Sequence, residues 1–489
     1  MTPAPRPTAA AGSAKTQTVA AVDLGATSGR VIVGRVGPGE LSLRHVARFG
    51  NEPVRVADGL HWNILELYRN VLAGLARAEH DDPGAVSSVG IDSWAVDYGL
   101  LRRGRLLSAP YHYRDERRCA DGVAPVHDAI TPEELYGRTG LQHLPFTTIY
   151  QLATEDGLLS AADRLLLIPD LLAYWLTGAV VAERTNASTT GLLGAATRSW
   201  DTGLASRAGI PPGLLPPLID PGTVVGSTVP SVSEEVGRSL RVTAVGSHDT
   251  ASAVVAVPNP GRDFAYISCG TWGLAGLELD QPVLTDGARE ANFTNEGGVD
   301  GRVRFLRNVM GLWLLSESIR TWDRQATSSQ RSSELEQLLD AAAQVPGPVP
   351  VFDVDDPRFL TPGDIPARID AWFASRGERG PGTKPEYVRS IVESLAQAFA
   401  STVADAARLA GHRVSVIHLV GGGAQNALLC QATADRSGLP VLAGPVEATA
   451  IGNILVQARA QGAITGGLES LRSLVSVTFS PTRYLPTGA

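Results

Sequence analysis

Hydrophobic residues near the start of the chain are grouped in short runs separated by polar turns. Apolar runs at residues 17–23 and 30–36 flank the polar turn 25–29, and Pro38-Gly39 leads into a third run at 41–49. Short apolar runs bounded by turns that contain glycine and proline are typical of strands. The sequence therefore predicts a meander of three strands at the start of the chain.

A helix and a further strand follow this meander. Residues 64–78 carry apolar side chains at helical spacing, which predicts an amphipathic helix. Residues 86–93 form an apolar run that predicts a strand, and this strand ends in the polar and aromatic stretch 92–97. Strands and helices are therefore mixed from the start of the chain.

The second half of the chain repeats the first turn and its flanking strands. Apolar runs at 264–268 and 274–279 flank the turn of small residues 269–273, much as the first two runs flank 25–29. This similarity indicates a duplicated structural unit.

A long helix, a strand and a glycine turn come later in the second half. Residues 387–409 predict an amphipathic helix that ends at Gly411, residues 414–420 predict a strand, and Gly421–Gly423 precede a helix from about Gln425. In the first half a helix likewise leads into a strand, so two copies of one αβ plan are the simplest interpretation. The predicted parts are a flexible tail at 1–18, one domain at 19–245 and a second domain at 246–489, with the boundary near Gly246.

Composition narrows the class of protein. The 489 residues are 44% hydrophobic and 19% charged, with a net charge of -8, which suits two or three buried cores and offers no basic surface to nucleic acid. The longest apolar stretch, 165–176, is interrupted by Pro169 and Asp170 and is shorter than the roughly 20 residues that cross a bilayer. Three cysteines, far apart and odd in number, argue against a disulfide framework or a zinc cluster. We expect a cytoplasmic enzyme with no membrane or nucleic-acid partner.

Lysine is almost absent from the sequence. Lys15 lies in the predicted tail and Lys384 in a loop rich in glycine and proline, while arginine supplies the other basic residues. The Walker-type phosphate loop and the strand lysine of protein kinases both require a lysine in a defined context, and neither lysine has it. Any nucleotide chemistry must therefore proceed without lysine.

The two similar turns are candidates for phosphate binding. Backbone N–H groups in the turn 25–29 could bind a phosphate, with Asp23 placed to hold a water of a magnesium ion, although such turns are mostly plain hairpins. A related turn at Gly270-Thr271 favours the functional interpretation, because a triphosphate held between two similar domains needs one turn from each.

The segment at the predicted domain boundary has two interpretations. Ser247, Asp249 or Thr250 could cap the start of a helix, since each side chain can accept a hydrogen bond from a free N–H group. Alternatively, Asp249 could face the cleft and accept a proton from a substrate hydroxyl during phosphoryl transfer. Both interpretations can hold for one turn.

Other candidate residues are less specific. Gly421–Gly423 could be a plain loop or could allow a nucleoside to approach the backbone closely. Asn308 is a polar residue whose spacing alone implies no chemistry, and Trp94 and Trp272 are packing residues unless they line the cleft.

Ten collinear segments resemble the FGGY carbohydrate kinases of the actin/hexokinase superfamily, and together they are far more specific than any glycine turn. They are AVDLGATSGR at 21–30, GIDSWAVDYGLL at 90–101, YRD at 113–115, ERTNASTT at 183–190, HDTASA at 248–253, SCGTW at 268–272, NFTNEGG at 292–298, RNVMGLWL at 307–314, HLVGGGAQN at 418–426 and AGPVEATAIGN at 443–453.

The resemblance implies an α/β, two-domain actin-like fold with ribonuclease-H-like cores, and with ATP and a ketose in the cleft between the domains. Asp249 is then the base that accepts the proton of the sugar C1 hydroxyl, and Asp23 positions magnesium through water. The implied sugar contacts are Ala95, His248, Thr250 and Asn308, together with Asp249. The implied ATP contacts are Ala26, Thr27, Ser28, Gly29, Arg30, Thr271, Ser316, Gly422 and Gly423.

The resemblance also suggests a substrate. L-Rhamnulose is the first expectation, and L-fuculose and L-ribulose are the alternatives, because Ala95 stands where that branch of the family usually has glycine and Ser316 where glutamine is expected. A sugar-responsive protein without turnover is the non-enzyme alternative, but it would need a DNA-binding segment or a damaged base, and neither is evident. A monomer or a homodimer is expected.

Overall fold

The computed structural model describes most of the chain: residues 15–115, 121–155 and 157–487. Residues 1–14 of the predicted tail, and Cys119, lie outside this part. The first strand begins at Gln17, so Gln17 and Thr18, which were assigned to the tail, instead pair with the second strand. Within the described residues, no helix has the length and apolar character needed to cross a membrane.

Strands and helices are mixed along the described chain. The strands are β1 Gln17–Leu24, β2 Ser28–Gly37, β3 Glu40–Gly50, β4 Val54–Val56, β5 Gly59–His61, β6 Val86–Ser93, β7 Tyr98–Arg102, β8 Arg105–Leu106, β9 Arg164–Leu167, β10 Ala182–Glu183, β11 Leu218–Ile219, β12 Val224–Ser227, β13 Arg241–Thr243, β14 Phe264–Cys269, β15 Trp272–Leu279, β16 Thr294–Gly297, β17 Val303–Met310, β18 Val416–Val420, β19 Val441–Ala443 and β20 Thr482–Tyr484. The α-helices are Ile64–Asp81, Val123–Ala129, Pro132–Thr139, Thr148–Leu152, Leu158–Ala161, Ile168–Thr177, Arg184–Ala187, Thr202–Arg207, Pro230–Val236, Asp249–Val255, Asp286–Glu290, Trp313–Trp322, Ser328–Ala343, Ile365–Ala374, Lys384–Ala410, Ala427–Ser437, Ala448–Ala460 and Leu468–Thr478.

Two large sheets share one topology. The first has the order β3-β2-β1-β6-β13-β12, and the second contains the matching order β17-β15-β14-β18-β19-β20, with β16 added at its edge. In each sheet the first three of these strands are antiparallel, the next two run parallel to the third, and the last is antiparallel again. The duplicated αβ unit predicted from the sequence is therefore confirmed, and with it the α/β fold class.

Two helices lie between the sheets and hold the two halves of the chain together. Asp249–Val255 and Ala448–Ala460 share one buried apolar cluster with residues of both sheets, including Val19 of β1 and Phe264 of β14. The helices approach so closely that a Cβ atom added to Gly452 would lie 1.8 Å from the carbonyl oxygen of Ser252. The contact is therefore backbone against backbone.

The predicted elements differ from the observed ones mainly at their ends. The long helix begins at Lys384 because Thr383 and Glu386 form a capping box, and it ends at Gly411 in the left-handed conformation, as predicted. The chain around the predicted boundary at Gly246 continues beside β6, where the N–H group of Ser93 donates to the carbonyl of Ser247. The domain bounds 19–245 and 246–489 stay a prediction.

The buried histidine of β18 makes the stability of this fold depend on pH. His418 is fully buried, and burial together with the nearby Arg472 lowers its pKa to about 4. The unfolded chain has a histidine pKa of about 6.5 and therefore takes up this proton first. The free energy of unfolding should be unaffected by His418 above about pH 6.5 and fall by about 3 kcal/mol as the pH is lowered to 4.

Urea unfolding at several pH values measures this contribution. In His418→Leu the loss of stability between pH 6.5 and 4 should be smaller than in the unmodified protein, whereas His80→Leu, at an exposed position, should leave the slope unchanged. Equal slopes in all three proteins would show that His418 is not the group that titrates.

Candidate active site

One cavity of about 420 Å³ lies between the two halves of the chain and collects most of the predicted site residues. Its wall includes the turns that follow β1, β14 and β18, the segment that follows β6, and the first turn of the helix Asp249–Val255. The predicted residues that line it are Asp23, Ala26, Thr27, Ser28, Arg30, Ala95, His248, Asp249, Thr250, Thr271, Asn308 and Gly422.

Three predicted ATP contacts do not line the cavity. Gly29 is buried, and a Cβ atom there would lie 2.3 Å from the ring of Phe49. Gly423 is also buried, and a Cβ atom there would lie 2.6 Å from the sulfur of Cys269. Close packing therefore accounts for both glycines. Ser316 is exposed on the helix Trp313–Trp322, and its contact with ATP stays a prediction.

The two similar turns each use their glycine N–H to close the turn. Gly25 donates to the carbonyl of Ser28 at 2.9 Å, and Gly270 donates to the carbonyl of Trp272 at 2.8 Å. By contrast, the N–H groups of Ala26, Thr27 and Thr271 have no acceptor among the described residues. These are the backbone donors that each turn can offer to a phosphate.

Asn51 holds the first of these turns in shape. Its side-chain amide donates to the carbonyl of Gly25 at 2.8 Å, and its backbone N–H donates to the carbonyl of Thr27 at 3.0 Å. The residue follows β3 directly and is buried. Asn51 could not be predicted from the sequence, because a residue that contacts a turn distant along the chain leaves no local pattern.

Carboxylates from both halves meet at Arg30. Its Nε atom lies 3.0 Å from Asp23 Oδ2, and its Nη1 atom lies 2.5 Å from Glu447 Oε2, at the start of the helix Ala448–Ala460. Burial raises the pKa of Asp23 to about 6, although Arg30 acts in the opposite direction, and Asp249 and Glu447 raise it further. Asp23 and Asp249 therefore lie close enough to affect each other's charge.

The same residues fit a magnesium ion. Magnesium in proteins is usually held by one or two carboxylates, with waters and phosphate oxygens completing its shell. Asp23 supplies a buried carboxylate in the cavity wall, and its Oδ2 atom accepts no hydrogen bond from the described residues beyond its ion pair with Arg30.

The helix that carries Asp249 begins without a side-chain cap. His248 is in the N-cap position and its side chain makes no capping bond, while the hydroxyl of Ser247 donates to Glu183 instead. Asp249 Oδ1 accepts from the N–H of Thr250 at 2.6 Å and from its hydroxyl at 3.2 Å. Asp249 therefore satisfies one free N–H group of the first turn from the first helical position, while Ser247 and Thr250 cap no N–H group of this helix among the described residues. The Asp249 side chain is also one-third exposed in the cavity wall, so both interpretations of this residue stay open.

Glu183 fixes the segment that leads into this helix. Its buried carboxylate accepts from the N–H and hydroxyl of Ser247 at 3.0 and 2.7 Å, and from the N–H and hydroxyl of Thr185 at 2.8 and 2.5 Å. The hydroxyl of Thr185 in turn lies 3.3 Å from the N–H of His248. Burial raises the pKa of Glu183, with these donors acting in the opposite direction. The ERTN part of the matched segment thus positions the chain before Asp249.

Two further polar side chains of the cavity wall, His248 and Asn308, are held in place by neighbouring side chains. His248 Nδ1 lies 3.2 Å from Glu296 and 2.9 Å from Arg304, and both partners are buried. The amide of Asn308 donates to Gln142 Oε1 at 3.0 Å. Because these side chains are fixed before any ligand binds, they can present defined hydrogen-bonding groups to a small polyol.

The segment after β6 is held in an unusual conformation. Val96, next to Ala95, has a φ of 67°, which is uncommon for a β-branched residue and costs energy. Asp97 is buried and accepts from the indole N–H groups of Trp62 and Trp94, at 2.6 and 3.1 Å, and from the amide of Gln151 and the N–H of Tyr113. This network holds Ala95 and Trp94 against the cavity. Trp94 and Trp272 therefore both pack and line the cavity.

Comparison with known proteins identifies the relatives of this chain. Family models match it twice: the N-terminal domain of the FGGY family of carbohydrate kinases matches residues 18–256, and the C-terminal domain of that family matches residues 265–461. A rhamnulokinase of Pectobacterium carotovorum subsp. carotovorum (strain PC1) is 42% identical over 479 residues, which cover 96% of this chain and 93% of that protein. A rhamnulokinase of Bacteroides thetaiotaomicron is 38% identical over 472 residues, 95% of each chain.

Solved structures share the fold. A xylulose kinase from Rhodospirillum rubrum has a TM-score of 0.75 at 20% identity, over 96% of this chain and 95% of that chain. A gluconate kinase from Lactobacillus acidophilus has a TM-score of 0.74 at 16% identity, over 97% and 94%. The two-domain actin-like fold is thus confirmed. With both domain models matched in order and a cavity between two copies of one sheet, the chain belongs to the FGGY family of carbohydrate kinases.

Proposed function

We propose that this protein transfers the γ-phosphoryl group of ATP to the C1 hydroxyl of L-rhamnulose, forming L-rhamnulose 1-phosphate and ADP. The observation that carries the proposal is that one cavity is lined both by Asp249 and by the two phosphate-binding candidates, the turns at Gly25–Ser28 and Gly270–Thr271. A kinase of the family needs these parts within reach of one another. The choice of sugar rests on the relatives named rhamnulokinase.

The nucleotide is assigned to the side of the cavity that has free backbone donors. The N–H groups of Ala26, Thr27 and Thr271 bind the phosphates, and Gly422 lies beside the nucleoside. Asp23 would hold magnesium through water, and the bound ion would neutralise charge on the phosphate oxygens.

Asp249 is assigned as the general base. Its Oδ1 atom is oriented by the N–H and hydroxyl of Thr250, and its partly exposed carboxylate accepts the proton of the C1 hydroxyl. As the C1 oxygen forms its bond to the γ-phosphorus, the bond between that phosphorus and the bridging oxygen breaks, and ADP leaves with the electron pair. Glu183 acts through Ser247 and positions the base without touching the substrate.

The sugar is assigned to the side formed by Ala95, His248, Thr250 and Asn308. The methyl group of Ala95 stands in the cavity wall, in a segment that Val96 and Asp97 hold rigidly, so it bears directly on the shape available to the ketose. Because of this methyl group, phosphorylation of L-fuculose or L-ribulose is the second candidate function. A protein that binds sugar without turnover is less well supported, because Asp249 is present and lines the cavity.

An ADP-release assay with saturating MgATP and a panel of ketoses tests this proposal. L-Rhamnulose should give the highest kcat/KM among L-rhamnulose, L-fuculose, L-ribulose and D-xylulose. Preference for another ketose by tenfold or more, about 1.4 kcal/mol in transition-state binding, would show that the substrate is wrong while the family assignment stands. Sugar binding without ADP release would instead favour the non-catalytic alternative.

The proposal also includes the cellular location, the oligomeric state and the partners of the protein. ATP and a free ketose are both found inside cells, so we assign the protein to the cytoplasm, as a monomer or a homodimer with no nucleic-acid or membrane partner.

A further inference from the structure

A row of charged side chains crosses the first sheet at the edge of the cavity. Asp92 of β6, Asp23 of β1, Arg30 of β2 and Arg48 of β3 are directly opposite one another in register. Residues directly opposite on neighbouring strands point to the same face of a sheet, and the strands are about 4.8 Å apart. Arg48 therefore stands next to Arg30 at the end of this row.

The two arginines of the cavity wall differ in their partners. Arg30 is engaged by both Asp23 and Glu447. Arg48 also lines the cavity, is exposed, and has no carboxylate within ion-pair distance among the described residues. Its guanidinium group is therefore a positive charge in the cavity wall that forms no ion pair with a carboxylate of the described residues.

The cavity wall contains more acidic residues than arginines. The acidic residues that line the cavity are Asp23, Asp249, Glu296 and Glu447. A triphosphate brings further negative charge, and neither lysine of the chain lines the cavity. Guanidinium groups bind phosphate oxygens through two parallel N–H donors, so an unpaired arginine at this place fits a phosphate group.

The backbone that carries Arg48 is tied to the phosphate-binding turn. β3 ends two residues after Arg48, and Asn51 then donates to the carbonyls of Gly25 and Thr27. These two hydrogen bonds of Asn51 connect the end of β3 to the turn that carries the free N–H groups of Ala26 and Thr27. They therefore fix the position of the Arg48 backbone relative to that turn.

We propose that Arg48 is a further substrate-binding residue of this site, which contacts the polyphosphate chain of the nucleotide directly. Arg30 is held by Asp23 and Glu447, whereas Arg48 is free to bind phosphate. The inference rests on the proposed kinase function, because it assumes that a nucleotide polyphosphate occupies the turn at Gly25–Ser28.

The test compares Arg48→Gln with Arg44→Gln. Arg44 lies on the same strand, but it pairs with Asp81 at 2.7 Å and does not line the cavity. Calorimetry with MgATP and with MgADP, and steady-state kinetics with L-rhamnulose, should be run on the full chain. Loss of a charged hydrogen bond to phosphate should weaken nucleotide binding roughly 10- to 100-fold in Arg48→Gln, with the KM of the sugar unchanged. Arg44→Gln should match the unmodified protein.

A third variant, Arg48→Lys, keeps the charge but loses the paired donors, so its nucleotide affinity should fall between those of Arg48→Gln and the unmodified protein. Nucleotide affinity within twofold of the unmodified protein in Arg48→Gln would overturn the inference. An equal loss in Arg44→Gln would do the same, because it would reveal a general effect of charge. If the unmodified protein releases no ADP with any ketose, the kinase proposal fails, while the calorimetric comparison still decides the role of Arg48.

Discussion

Replacing Asp249 with asparagine should lower turnover by at least about a hundredfold while the protein stays folded and binds ATP. Loss of a positioned general base typically costs 10²- to 10⁴-fold in rate. The fold should tolerate the change, because an asparagine oxygen can still accept the hydrogen bond that Asp249 Oδ1 receives from the N–H of Thr250. The measurements are kcat in the ADP-release assay, ATP affinity by calorimetry, and the melting temperature.

Asp286→Asn is the matched control for this prediction. Asp286 also lies in the first turn of a helix, but its side chain is 86% exposed and it does not line the cavity. Turnover in Asp286→Asn should equal that of the unmodified protein. Near-normal turnover in Asp249→Asn would place the base elsewhere. Asp97 would be a poor substitute, because it is buried behind the cavity wall and receives four hydrogen bonds.

Adding a side chain at Gly270 should weaken ATP binding without unfolding the protein. A Cβ atom at Gly270 meets no atom within 4 Å, and the residue is exposed, so Gly270→Val has room in the free protein. The added isopropyl group would stand beside the free N–H of Thr271 and obstruct the approach of a phosphate. Loss of even one charged hydrogen bond to phosphate predicts at least about a tenfold weaker affinity for MgATP.

Gly213→Val separates this effect from the general cost of replacing a glycine. A Cβ atom at Gly213 also meets no atom within 4 Å, and the residue is exposed and does not line the cavity. Its ATP affinity should be unchanged in calorimetry. Unchanged affinity in a folded Gly270→Val protein would make the second turn an ordinary hairpin and would leave phosphate binding to the turn after β1.

Local patterns in the sequence were sufficient to predict the strands and turns that frame the site. The predicted runs at 17–23, 30–36 and 41–49 became β1, β2 and β3 with ends shifted by one or two residues, and 86–93 matched β6. β1, β2 and β6 are mostly buried and β3 is partly exposed, but all four are runs with apolar residues bounded by polar turns, which is the local pattern that predicts a strand. The resemblance to a family then supplied the roles of residues such as Asp249, which spacing could not decide.

Sequence patterns did not reveal the contacts that hold the site in place. Glu183 meets Ser247 across 64 positions of the chain, and Asn453 donates to Asp92 across 361 positions. Hydrogen bonds between residues so far apart in the sequence form only when the sheets and helices pack together. A short window of sequence does not include both partners, so it cannot predict the contact. The placement of Arg48 beside Arg30 was missed for the same reason, since it depends on strand register.

The close crossing at Gly452 sets the width of the cleft. One helix at this crossing begins with Asp249, and the other follows directly after Glu447, which pairs with Arg30. Even a single methyl group at Gly452 would meet the backbone of Ser252 and force the two helices apart. The separation between the proposed base and the phosphate-binding turns therefore depends on the absence of a side chain at Gly452, a residue that does not line the cavity.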